Sequence, residues 1–117
     1  MADTINLAGK LASFSDHWSP RTVAVFNGHD VMVAKVEGAF VWHKHDETDD
    51  FFLVLSGLLD IELRDRTVTL GPGEMFIVPK GVEHRPVARE ETHILLIEPT
   101  GTPNTGDAKT AAGRKAI

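Results

Sequence analysis

GAFVWHKHDETDDFFLVLSG, residues 38–57, holds two histidines, an acidic loop and an apolar run between two glycines. Residues i and i+2 of an extended segment point the same way. Ala39, Val41, His43 and His45 are therefore expected on one face of a strand, with Phe40, Trp42 and Lys44 on the other. Asp46 to Asp50 is too acidic to bury and reads as a loop. Phe51 to Leu55 is apolar on both faces, and Gly57 ends it.

The period of two extends in both directions from this stretch. Upstream, residues 22–26 and 31–36 flank Asn27-Gly28, a hairpin dipeptide that tolerates positive φ. Downstream, Leu59, Ile61 and Leu63 alternate with Asp60, Glu62 and Arg64. Further strands are expected at 67–70, 75–78, 82–88 and 92–97, punctuated by Gly71-Pro72-Gly73 and Pro79-Lys80-Gly81. About nine short strands with frequent turns predict an all-β sandwich or barrel. Residues 1–20 form a separate arm. In it Ile5, Ala8, Leu11, Ala12 and Ser15 fall at helical spacing, so a short helix and an extended arm are both compatible. The barrel is expected over 21–99. Residues 100–117 read as a tail with little to bury, disordered towards its end.

The chain has 117 residues, a formal charge of −5 and no cysteine. One domain is expected. The acidic balance argues against nucleic-acid and anionic-membrane partners. Thiolate ligands and disulfides are excluded, so a metal site must use N and O donors. No apolar run approaches a membrane span or a signal peptide, and a cytoplasmic location is expected.

His43 and His45 can share one ion. Asp50 follows after a short loop, and His84 lies where a distant strand of a closed sheet returns. Three imidazoles and a carboxylate form a ligand set for a divalent transition metal such as Zn, Ni, Fe or Mn.

These motifs resemble those of the cupin superfamily, small single-domain β-barrels of jelly-roll type. The first family motif has glycine, His-x-His, a glutamate and, six residues later, a glycine. Here His43-x-His45 is followed by Asp50 and Gly57. The second motif is matched without a gap by Gly73, Pro79, Gly81 and His84. The resemblance spans roughly residues 30–97. It implies a jelly-roll barrel with His43, His45, Asp50 and His84 as metal ligands.

Three positions depart from the pattern. Asp50 replaces glutamate and is shorter by one carbon–carbon bond, about 1.5 Å, against a tolerance of about 0.2 Å in ligand distances. A backbone shift, a bridging water, Glu47 or Asp49 are the alternatives this opens. Gly38 is separated from His43 by four residues instead of five, and Ala88 stands where the family often has asparagine.

The inward positions are expected to be Ala39, Val41, Phe52, Val54, Leu59, Ile61, Val68, Leu70, Met75 or Phe76, and Leu95, with Lys35 as an inward cation. Such a pocket suits a small apolar or aromatic chelating ligand better than a sugar phosphate, which needs Arg or Lys inside. The only acid–base candidates beyond the ligands are Glu47, Asp49 and His93, and the simplest reading of His93 is structural. His17 and His29 read as exposed. Phe51, Leu53 and Leu55 face outward and need a cover, either the N-terminal segment or a second subunit, so a homodimer is expected. Three functions follow: a metal-dependent enzyme (dioxygenase-, isomerase- or lyase-type) on a small organic substrate, a non-catalytic metal- or ligand-binding module, or a barrel with no ion.

Overall fold

The structure, a computed structural model, describes residues 3–107, 109 and 111–117. Helix α1 (Leu7–Leu11) is a single turn. The Asn6 side chain caps it by accepting from the Gly9 amide at 2.9 Å, and Leu11 is its buried residue. Residues 12–20 then run as an extended arm to β1 (Arg21–Phe26). Asn27 and Gly28, at φ +49° and +74°, turn the chain into β2 (His29–Ala39). The rest are β3 (Asp50–Ser56), β4 (Leu59–Leu63), β5 (Thr67–Leu70), β6 (Met75–Val78), β7 (His84–Pro99) and β8 (Lys115–Ala116). The chain is an all-β jelly-roll barrel.

The long strand β7 organises it. One edge pairs with β2 from His29↔Pro99 to Ala39↔Val87. The other edge pairs with β4 over residues 84–87 and with β3 over residues 93–95. The expected break between 82–88 and 92–97 is instead a bulge, because Val36 pairs with Thr92 but Gly38 with Ala88. Residues 89–91 bow outward there, and a bulged strand bends. Thr92 locks the bend. It is fully buried and its Oγ1 accepts from the Leu58 amide at 3.2 Å.

Gly57 packs directly on this threonine at φ +90°, and a Cβ there would overlap Thr92 Oγ1. Gly57→Ala combines positive-φ strain with overpacking, so a loss of about 2–3 kcal/mol is expected in urea unfolding. An unchanged midpoint contradicts this packing.

Several inward expectations hold. Phe52, Val54, Leu59, Ile61 and Leu70 are buried, and Val68 and Phe76 pack against them. Met75 is exposed, so Phe76 is the inward member of that pair. Ala39 and Val41 are corrections. Ala39 pairs with Val87 and His43 with His84, four steps on one side against three on the other. The extra residue reverses the alternation. Phe40 turns in and Val41 is 53% exposed, while His43 and His45 stay buried.

Leu95 is also corrected, since Ile94 and Leu96 take the inward face. Residues 94–97 are uniformly apolar, so hydrophobicity carries no phase there. Lys35 points outward, its Nζ over the Phe14 ring and bonded to the Phe14 carbonyl.

The C-terminal segment departs from the disordered tail expected. Strand β8 pairs in parallel with β1, and the Ile117 amide donates to Thr22 O at 2.9 Å. Polar pairing holds this segment. Arg114 Nη1 reaches Asp30 and its Nη2 reaches Glu98, both at 2.8 Å, and Nη2 also donates to Thr102 O. Such contacts leave no hydrophobic trace in the sequence.

Candidate metal centre

His43 and His84 face each other as an antiparallel bridge. Each amide donates to the other's carbonyl, at 3.0 and 2.9 Å. Each ring is fixed in the same way, with Nδ1 2.9 Å from the carbonyl two residues earlier, Val41 and Val82 respectively. An Nδ1–H donating there leaves the Nε2 lone pair free. His45 is anchored through its carbonyl, which accepts from the Gly81 amide at 2.7 Å. The Lys80 amide donates to Asp49 Oδ1 at 2.9 Å. These two bonds clamp the 79–81 turn, which precedes His84, onto the loop that precedes Asp50.

Asp50 opens β3 and is 3% exposed. Its Oδ2 lies 2.8 Å from His84 Nε2, 3.2 Å from His45 Nε2 and 4.0 Å from His43 Nε2. One donor atom from each of the four residues lies within 4.8 Å of all the others, and all four residues are buried. The shorter carboxylate thus reaches the three imidazoles without help. Glu47 is exposed and lies outside the cluster, and Asp49 serves the Lys80 amide instead.

Burial pushes His43 down to about 4, so it is neutral near pH 7. Burial alone would raise Asp50, but the adjoining His45 and His84 imidazoles outweigh it and hold the carboxyl well below its usual range. A neutral His43 beside an ionised Asp50 matches the protonation states that metal ligation requires. Two buried atoms of the cluster, His45 Nε2 and Asp50 Oδ1, have no hydrogen-bond partner. Buried polar atoms seldom go unsatisfied, and a shared cation would satisfy both. The donor set therefore fits one divalent transition ion.

A small cavity reaches His43 and Asp50. Its walls are mostly apolar and include Met32, Val36, Phe52 and Ile94. Trp18 and Phe40 stack at 4.7 Å and 19° to form part of them. Trp18 belongs to the arm. It sits at φ +57°, and its indole donates to Glu37 O at 2.9 Å.

Glu98, Asn104 and Arg114 are the polar lining beyond the ligands. Sequence reasoning missed all three and Trp18. Glu98 shares the phase of Ile94 and Leu96, so the correct register of β7 would have found it. Arg114 and Asn104 carried no signal. His93 lies outside the cavity, bonded to Glu91, as its structural reading expects.

Burial, together with the neighbouring charge of Asp50, pushes Glu98 up to about 9 against the pull of Arg114. The folded state then holds a proton that the unfolded chain releases near 4.5, so stability falls as pH rises towards 9. His43 acts oppositely. Its folded value of about 4 against 6.5 makes stability rise between those values. Above pH 6.5 only Glu98 of the two contributes. The Tm of metal-free protein is expected to fall from pH 6.5 to 9, and Glu98→Gln to flatten that fall. An equally steep fall in the variant contradicts it.

The family model described as "Cupin domain" matches residues 30–98. A cupin-2 domain containing protein from Shewanella frigidimarina, known from its crystal structure, is 50% identical with a TM-score of 0.80, covering 81% of this chain and 93% of that one. Protein NMB1881 from Neisseria meningitidis is 31% identical with a TM-score of 0.75, covering 84% and 100%. The uncharacterized protein YdbB of Bacillus subtilis is 33% identical over 78 residues, 66% of this chain and 69% of that protein.

Proposed function

The chain belongs to the cupin-domain family, and on that premise we propose that it is a metal-dependent enzyme acting on a small organic substrate. His43, His45, Asp50 and His84 hold one divalent transition metal, Zn, Ni, Fe or Mn. The observation that carries this reading is the pair of partnerless buried atoms, His45 Nε2 and Asp50 Oδ1, at the convergence of three imidazoles. Such an ion supplies Lewis-acid chemistry, or oxygen chemistry if it is redox-active, which matches isomerase-, lyase- and dioxygenase-type reactions.

The chain's own residues narrow the substrate. The stacked Trp18 and Phe40 present a flat apolar wall beside His43, which suits a small aromatic or apolar chelator. Among the described residues Arg114 is the one cation in the cavity lining, and Asp30 and Glu98 engage it, so a phosphate finds no free partner among them. Glu98 is the proton-bearing group that faces the ligands. As a neutral acid it holds a proton beside the ligand carboxylate Asp50.

A second reading, a non-catalytic metal- or ligand-binding module, is favoured by the lack of further acid–base groups among the described residues of that lining. Turnover that Glu98→Gln lowers without loss of metal supports the enzyme. Ligand binding with no turnover supports the module. Removing and restoring metal tests both readings. At a concentration 100 times Kd an ion that binds only the folded state adds about 2.7 kcal/mol of stability. Protein that retains no metal and gains no stability from Zn, Ni, Mn or Fe overturns both.

We place the protein in the cytoplasm as a homodimer. Among the described residues no helix is long and apolar enough to cross a membrane. Helix α1 and the arm reach Leu55, but Met75 and Ile77 remain exposed beside Phe51 and Leu53. A second copy is the proposed cover. Sedimentation at twice the monomer mass supports this, and a monomer at high concentration refutes it.

A further inference from the structure

The C-terminal segment that follows β7 meets the metal centre on two sides. Thr102, Pro103 and Gly106 share one cleft with His45 and residues 46–48. Asn104 and Arg114 line the cavity that His43 and Asp50 enter.

Gly106 makes the first contact. It sits at φ +77°, and a Cβ there would overlap the Lys44 carbonyl oxygen. Glycine permits both the left-handed backbone and the close approach. Lys44 lies between His43 and His45, so the backbone being gripped is the one that carries both imidazoles.

Arg114 makes the second contact. Its guanidinium joins Asp30 on β2 to Glu98 on β7, each at 2.8 Å. Glu98 is buried and lines the cavity together with Asp50. Asn104 braces the segment between these points. Its side chain accepts from the Ala112 amide at 3.0 Å and donates to Trp18 O at 3.5 Å.

We infer that the C-terminal segment is a positioning element of the metal centre, so that its docking and retention of the ion form one coupled equilibrium. The inference rests on the metal reading proposed above. Gly106 acts through Lys44, and Arg114 through Glu98. Ligand distances tolerate only about 0.2 Å, so a grip on the backbone between two ligands bears on affinity. Linkage makes the effect reciprocal. Docking strengthens the ion by the same factor by which the ion holds the segment down.

Zn²⁺ is the probe. In wild type, saturating Zn²⁺ is expected to slow hydrogen exchange at the Ala112 and Ile117 amides by about tenfold. Arg114→Ala and Gly106→Ala are each expected to weaken Zn²⁺ binding by about tenfold or more, the scale for losing a group that supports a ligand. Removing a nearby cation would by charge alone tighten Zn²⁺, so weaker binding by Arg114→Ala reports positioning. Gly57→Ala lowers stability at the opposite end of β3 from Asp50, and as the control it keeps wild-type affinity.

Wild type that binds Zn²⁺ with both exchange rates unchanged overturns the inference and leaves the metal centre standing. So do Arg114 and Gly106 variants that bind as tightly as wild type, and so does equal weakening by Gly57→Ala. Wild type that binds no Zn²⁺ overturns the metal reading and this inference with it.

Discussion

Asp50→Asn is expected to abolish high-affinity metal retention while leaving the barrel folded. The substitution keeps the size of the side chain and removes its charge. Asp50 Oδ2 is the one atom that approaches all three ligand imidazoles. In a buried site the carboxylate is also the only anion of the proposed ligand set. Its loss leaves three neutral donors to desolvate a dication. Metal affinity is expected to fall by at least the roughly 10–100-fold seen when a supporting group is lost, and the stabilisation by added metal should largely vanish. The measurement is metal content after gel filtration, with Tm recorded in the presence and absence of metal. Asp50→Glu restores the residue the resembling family carries, and partial recovery is expected. Full metal retention by Asp50→Asn would show that the carboxylate is not a ligand.

Arg114→Ala is expected to cost about 3 kcal/mol of stability, the scale for breaking a buried ion pair from one side. The guanidinium ties the C-terminal segment to Asp30 on β2 and Glu98 on β7. Without it, among the described residues, Asp30 keeps the side-chain hydrogen bond from Thr100 Oγ1 and becomes a buried, under-compensated charge. Glu98 suffers less, because it is already neutral near pH 7. The cavity should also open, since Arg114 and Asn104 line it. Urea unfolding measures the first effect, and hydrogen exchange at residues 115–117 the second. A variant as stable as wild type, with those amides still protected, contradicts the ion-pair anchoring.

The strands were legible wherever apolar and polar residues alternate, as at Leu59, Ile61 and Leu63. The four candidate ligands were legible because motif spacing carries them. What stayed hidden has physical causes. One inserted residue between Ala39 and His43 reversed the side-chain phase, so Val41 was expected inside and Phe40 outside. The uniformly apolar run 94–97 left β7 without a readable phase, which concealed Glu98. The C-terminal segment is held by a buried arginine and a few backbone bonds, and polar residues in a tail look the same docked or free. Trp18 reaches the cavity from the arm by a positive-φ backbone. No local pattern announces such a turn in a tryptophan.

Anomalous X-ray scattering from a crystal grown with a divalent transition metal tests the proposed centre most directly. A peak is expected about 2.0–2.2 Å from Nε2 of His43, His45 and His84 and from a carboxylate oxygen of Asp50. Metal bound elsewhere on the chain, with no peak among these four side chains, would contradict it.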